Sequence, residues 1–255
     1  MELLNIQNLS LHFGGIIALN NIDMAVQKGD LHAIIGPNGA GKTSIFNVIS
    51  GVYPPTTGDI LIEGKSITHK KPSRIAQLGI ARTFQNIRLF TNLTVIDNLL
   101  LGRHVHIKAG AIAGSFFYGK ALREEVTNRE RVEEIIEFLE IEDTRKKLVG
   151  TLPYGIQKRV ELGRALSMDP KMLLLDEPVA GMNVEETEDI VRFILDIKEE
   201  LEITIILVEH DMEVIMGIAD KITVLDFGNK IAEGQPADIR KNPKVIVAYL
   251  GQEEG

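Results

Sequence analysis

Three glycines, a lysine and a threonine stand at the spacing of a phosphate-binding loop in Gly36-Pro37-Asn38-Gly39-Ala40-Gly41-Lys42-Thr43, a complete GxxxxGK[ST]. Glycines let the backbone wrap closely, so that successive N–H groups point at phosphate oxygens. The helix expected to follow presents its positive end, Lys42 reaches β- and γ-phosphates, and the Thr43 hydroxyl ligates Mg²⁺. Gly36, Pro37, Asn38, Gly39, Ala40, Gly41, Lys42, Thr43 and Ser44 are therefore the candidate nucleotide-binding residues. A second constellation is Met172-Leu173-Leu174-Leu175-Asp176-Glu177-Pro178, an apolar strand ending in two acids. In a parallel sheet such acids sit at the carboxyl edge, where α/β folds bind ligands. There Asp176 would hold Mg²⁺ and Glu177 would polarise the attacking water.

His210 closes ILVEH at the end of another apolar strand, which points it at the γ-phosphate. Gln85, in RTFQN, takes no role from the residue pattern alone. His104 and His106 form an H-x-H without a third ligand nearby and read as loop histidines. Lys158, Arg159 and Arg164 share a helix with Glu161 and read as a solvated face, not a nucleic-acid contact. Phe116-Phe117-Tyr118, in a Gly/Ala-rich loop, reads as local packing.

The elements that must position these groups follow from hydrophobic period. Leu31–Ile35 is a short apolar strand ahead of the glycine loop, Thr43–Ser50 a helix behind it, and Asp59–Ile62 another strand. From about Leu93 the period turns helical, and Glu130–Leu139 places Val132, Ile135, Ile136 and Leu139 on one face. Helix Gln157–Ser167 then leads to strand Met172–Leu175, helix Val184–Glu200 to strand Thr204–Val208, and helix Met212–Ala219 to strand Lys221–Leu225. Apolar strands alternating with amphipathic helices predict an α/β fold on a mostly parallel sheet covered on both faces.

Composition agrees. The chain has 255 residues, 44% hydrophobic and 25% charged, which excludes disorder and a fibrous repeat. Lys plus Arg number 28 against 36 acids, and a net charge of −8 has no general attraction for a nucleic-acid backbone. With no cysteine there is no disulfide, thiolate nucleophile or Cys-ligated metal. No stretch reaches the ~20 apolar residues of a spanning helix, and MELLNIQNLS is no secretory signal. The expectation is a cytoplasmic chain whose membrane role comes through a partner.

In order along the chain, GPNGAGKT, the Gln of RTFQN, LPYGIQKRVELGRAL, LLLDEP and ILVEH resemble the nucleotide-binding subunit of ABC transporters. FGGIIALNN, ARTFQNIRLFTNLTVIDNLLLGRH, DEPVAGMN and the long stretch between Arg103 and Arg129 look most like the ATP-binding subunits of branched-chain amino-acid importers. The resemblance implies a P-loop NTPase (RecA-like) core with an N-terminal antiparallel β subdomain, residues 1–86 and 158–255 forming the core and 87–157 an inserted helical subdomain. It implies ATP and Mg²⁺ as ligands, hydrolysis by Glu177, His210 and Gln85, and Mg²⁺ contacts from Thr43, Asp176 and Gln85. Phe13 falls near the place of an aromatic that stacks on adenine.

It further implies two ATPase subunits, a homodimer or a heterodimer with a paralogue, sandwiching two ATP molecules head to tail. Each site joins the P-loop of one chain to the signature segment of the other. The subunits would lie on the inner face of the membrane against transmembrane permease subunits, served indirectly by a solute-binding protein. Ala180-Gly181-Met182-Asn183 occupies the D-loop position, with Asn183 where many relatives carry Asp. The signature Leu152-Pro153-Tyr154-Gly155-Ile156 departs from LSGGQ, with Pro153 for serine and Ile156 for glutamine. Cross-site contact is thus expected from Tyr154, Gly155 and the helix end. The alternatives are an exporter ATPase of the lipid or lipopolysaccharide type and a soluble ABC protein; the latter would usually bring tandem cassettes, a basic arm or a coiled coil.

Overall fold

The computed structural model describes residues 1–85, 87–106 and 120–250, so Phe116-Phe117-Tyr118 lie outside the described residues. The chain opens with two long antiparallel strands, β1 (Glu2–Phe13) and β2 (Ile16–Gln27). Strand β3 (Leu31–Ile35) runs through the glycine loop into α1 (Lys42–Ile49). Strands β4 (Thr57–Ile62) and β5 (Lys65–Ser66), helix α2 (Pro72–Gln77) and strand β6 (Ile80–Arg82) follow. Three helices come next: α3 (Val95–Gly102), α4 (Lys120–Phe138) and α5 (Tyr154–Leu166). The chain then alternates through β7 (Met172–Asp176), α6 (Val184–Glu199), β8 (Thr204–Val208), α7 (Met212–Ile218) and β9 (Lys221–Asp226). It ends in β10 (Asn229–Gly234), α8 (Pro236–Ile239) and α9 (Pro243–Leu250).

Two sheets result. The larger has the order β10-β9-β3-β8-β7-β6, parallel throughout except where β10 turns back on β9. The smaller, β2-β1-β4-β5, is antiparallel. Every residue of β3, β7 and β8 is buried, as a strand covered on both faces requires. Successive residues point to opposite faces. Leu173, Leu175, Ile205 and Leu207 enter one core with α3, α4, α5 and α6. Met172, Leu174, Ile206 and Val208 enter another, roofed by α1 and the antiparallel sheet. Among the described residues no helix is long and apolar enough to cross a membrane.

Two expectations change. Strand β6 was not anticipated; its three residues fill the edge beside β7 and aim the chain toward Gln85. The helix expected from Gln157 starts at Tyr154, with Pro153 as its N-cap, so the signature residues belong to the helix itself.

His32, inside β3, is fully buried, its Nε2 sharing a hydrogen bond with Thr223 Oγ1 at 2.8 Å. Burial pushes its imidazole pKa from 6.5 down to about 4. The unfolded chain takes up that proton near pH 6.5, whereas the folded one resists it. Stability from this group is therefore full above pH 6.5 and falls by up to roughly 3 kcal/mol on the way to pH 4. Urea midpoints measured between pH 7.5 and 4.5 should show this decline, flattened in His32→Gln, which cannot titrate.

Candidate active site

The glycine loop ends the apolar strand β3 and opens α1, and its shape depends on residues without a side chain. Gly36 has φ +151°, and a Cβ there would stand 2.1 Å from the Leu225 carbonyl oxygen. Gly41 has φ +105°, and a Cβ would lie 2.7 Å from the Ala18 carbonyl. The loop is thus pressed between β2 and the β9–β10 hairpin, whose turn donates Gly228 N–H to Ala40 O at 3.0 Å. It walls a cavity of about 430 Å³ lined by Asn38, Gly39, Ala40, Gly41, Lys42, Thr43, Ser44, Ile16, Ile17, Ala18, Gln85, Glu177 and His210.

Lys42 is buried and folded back on the loop, its Nζ donating to Gly36 O at 2.6 Å and Pro37 O at 3.0 Å. Burial pushes the ammonium pKa down, and the carboxylates of Glu177 and Asp176 oppose that shift. A phosphate entering the cavity offers this lysine stronger, charged acceptors.

Across the cavity β7 ends at Asp176, and the chain turns sharply at Glu177, whose φ of 50° is left-handed. That conformation costs an L-residue about 1–2 kcal/mol. It is held by Glu177 N–H donating to Val208 O at 2.8 Å and Ala180 N–H donating to Glu177 O at 3.3 Å. The turn carries the side chain to the cavity wall. There Gln85 Nε2 donates to Glu177 Oε2 at 2.7 Å, and His210 Nε2 lies 2.6 Å from Glu177 Oε1. Three residues separated by up to 125 positions in the chain thus meet on one carboxylate.

Asp176 is buried behind them, with Oδ2 accepting from Arg82 Nη2 at 2.8 Å. Arg82 escaped the sequence reading, although a charge ending the strand Ile80-Ala81-Arg82 beside the carboxyl edge of β7 was a usable signal. Glu209 escaped too. It accepts from Val179 N–H at 2.9 Å and His210 N–H at 3.0 Å, tying the turn after Glu177 to the histidine. Burial pushes its pKa up despite those donors.

Phe13 stands exposed at the end of β1, one turn before the cavity-lining residues Ile16, Ile17 and Ala18. Its ring meets Tyr53 edge-on, 5.1 Å between centroids. The face carrying Lys158, Arg159 and Arg164 is not solvated. Lys158 and Glu161 are buried, and the helix grips the stretch after β6. Lys158 Nζ donates to Gln85 O at 3.3 Å, Arg88 N–H donates to Glu161 Oε1 at 3.3 Å, and Arg164 Nη1 donates to Arg88 O. A charged face folds inward because the irregular backbone there needs partners. His104 and His106 sit on a 3₁₀ turn (Arg103–His106), with His106 Nε2 2.9 Å from Met168 O. No described group of three acids or histidines forms a metal cage.

Tyr154 and Gly155, at the start of α5, do not line the cavity of their own chain. Tyr154 Oη donates to Ala180 O at 3.1 Å, and a Cβ on Gly155 would lie 2.6 Å from Glu186 Oε1. Asn183 caps α6 in a reciprocal box with Glu186.

A glycine loop, a strand-end acid pair and a glutamine and histidine converging on the second acid leave the comparison with known proteins to decide the family. The family model described as ABC transporter matches residues 19–180. The chain belongs to the ABC transporter family. It is an ATP-hydrolysing cassette with a P-loop NTPase fold. A second family model, Branched-chain amino acid ATP-binding cassette transporter, matches residues 229–255 of the cassette. The cassette is 40% identical to the high-affinity branched-chain amino acid transport ATP-binding protein BraF of Pseudomonas aeruginosa, over 98% of each chain. It is 38% identical to LivG of Escherichia coli K12, the protein of the same description, again over 98% of each. A solved ATP-binding cassette of an ABC transporter in its ADP conformation superposes with TM-score 0.86 at 36% identity, covering 98% of this chain and 99% of that one.

Proposed function

We propose that this cassette powers an importer for branched-chain or other hydrophobic amino acids, working as an ATP-sandwich dimer beneath transmembrane permease subunits on the inner face of the membrane. A solute-binding protein would deliver the solute outside. The single observation that carries the chemistry is the Glu177 carboxylate held by Gln85 and His210 at the wall of the P-loop cavity. The solute class rests on the likeness to BraF and LivG, whose names state that transport.

Glu177 is the general base, accepting a proton from the water that attacks the γ-phosphate. His210 orients that carboxylate and contacts the γ-phosphate once ATP is in place. Lys42 leaves the Gly36 and Pro37 carbonyls for the β- and γ-phosphates. The donor set fits Mg²⁺, which favours hard oxygens and few protein ligands beside phosphate. Thr43 offers its hydroxyl, Asp176 the Oδ1 that no described residue engages, and Gln85 its amide oxygen, since Nε2 is spent on Glu177. Bound there, Mg²⁺ would neutralise charge on the phosphates during transfer. The segment 87–157 would pass closure of the sandwich to the permeases, its junction with the core lying on α5, where Lys158 donates to Gln85 O.

The sandwich is tested with mixed dimers. One chain carrying Gly155→Asp and its partner Lys42→Ala place both lesions in one composite site, leaving one site intact. Both lesions on a single chain paired with wild type spoil both. ATP occupancy near one per dimer in the first case and near zero in the second is expected, and equal occupancy would refute the head-to-tail arrangement.

A further inference from the structure

Arg82 joins the two elements that carry the proposed cation ligands. Its Nη2 donates to Asp176 Oδ2 of β7 at 2.8 Å, while Nη1 donates to Asn47 Oδ1 of α1 at 2.7 Å and to Ser50 Oγ at 3.3 Å. The guanidinium lies 5.5 Å from the Phe46 ring centroid and 5.1 Å from that of Phe84. Both partners of the ion pair are shielded, the side chains 8% and 5% exposed. A planar fork with two separately aimed nitrogens can do this; a lysine ammonium, a single point, cannot easily hold both partners.

Two consequences follow from the chemistry. First, among the described residues Arg82 makes the one hydrogen bond to the Asp176 carboxylate. It consumes Oδ2, so the carboxylate has one settled orientation with Oδ1 left over. Second, α1 begins at Lys42-Thr43, and Asn47 lies one turn further along the same helix. Fastening Asn47 and Asp176 to one rigid group therefore sets the spacing between the Thr43 hydroxyl and the Asp176 carboxylate. A small octahedral cation tolerates little error in such a spacing.

We propose that Arg82 is a positioning residue for the divalent cation that accompanies the nucleotide, bridging α1 to β7 and so determining how much Mg²⁺ strengthens nucleotide binding. The proposal rests on the reading of Thr43 and Asp176 as cation ligands. It separates Arg82 from Lys42: the lysine serves phosphate affinity whether or not Mg²⁺ is present, whereas the arginine serves only the Mg²⁺-dependent increment. It assigns Asn47 a share of the same role, although among the described contacts Asn47 reaches Asp176 only through Arg82.

The test is ADP affinity of the full chain, by calorimetry, in EDTA and in excess Mg²⁺. Wild type should bind more tightly with Mg²⁺, and Thr43→Val should lose that gain. Arg82→Met should bind ADP in EDTA within about twofold of wild type yet lose at least fivefold of the Mg²⁺ enhancement. Arg82→Lys and Asn47→Leu should each lose part of it. Because affinity in EDTA reports an intact P-loop, a misfolded variant is recognised directly. Full Mg²⁺ enhancement in Arg82→Met, with Thr43→Val deficient, would overturn the positioning role and leave the cation site standing. Equal loss with and without Mg²⁺ in both Arg82 variants would also overturn it, by reducing the residue to a support of the loop. A wild-type chain whose ADP binding is indifferent to Mg²⁺, or a Thr43→Val chain that keeps the full Mg²⁺ enhancement, would overturn the cation site and this proposal together.

Discussion

Glu177→Gln is expected to bind ATP with near wild-type affinity and hydrolyse it at least ~100-fold more slowly, the range a positioned general base contributes. The carboxylate lines the cavity without being part of the glycine loop, so the phosphate cradle survives its loss of charge. The amide keeps one oxygen to accept from Gln85 Nε2. It cannot also offer a second acceptor to His210, and it takes a proton from water poorly. Single-turnover hydrolysis and equilibrium binding on the same preparation separate the two effects. The variant should also accumulate as an ATP-bound dimer on gel filtration. Turnover at the wild-type rate would place the base elsewhere, with His210 the first alternative because it already contacts this carboxylate.

Removing Lys42 should act on binding instead. Lys42→Ala is expected to weaken ATP binding at least ~100-fold, the equivalent of about 3 kcal/mol for lost charge-assisted hydrogen bonds. The free protein also loses something, since the buried ammonium satisfies the Gly36 and Pro37 carbonyls. Lys42→Met therefore serves as a control that fills the space. Nucleotide titration beside a thermal melt decides the matter: a large affinity loss with a modest drop in melting temperature is expected for Met. Near wild-type ATP affinity in both variants would mean that phosphate is held elsewhere.

Much of this protein was legible in the residues taken in order. A glycine loop has to be continuous in sequence, because neighbouring amides must converge on one phosphate, so Gly36–Ser44 announced itself. Strands buried on both faces have to be apolar throughout, which exposed Leu31–Ile35, Met172–Leu175 and Thr204–Val208 and, through their alternation with helices, the parallel sheet. Motif order then marked the ABC family.

What the sequence could not decide are the meetings between distant segments and the side to which a short strand faces. Phe13 and Ile16 flank the same Gly14-Gly15 turn, and only the packing of the strands shows that the aromatic ring meets Tyr53 edge-on while Ile16, Ile17 and Ala18 line the cavity. Lys158, Glu161 and Arg164 carry the pattern of a solvated helix face. They are drawn inward because they partner backbone groups after β6, Lys158 and Arg164 donating to the Gln85 and Arg88 carbonyls and Glu161 accepting from Arg88 N–H. Arg82 sits in a three-residue edge strand too short to show a period, and its partners Asn47 and Asp176 are 35 and 94 positions away. Local pattern reports what a residue must do for its own helix, strand or turn. Which charge it finally answers to is set by the tertiary fold, because a buried ionic group has to find its partner wherever the packing brings one.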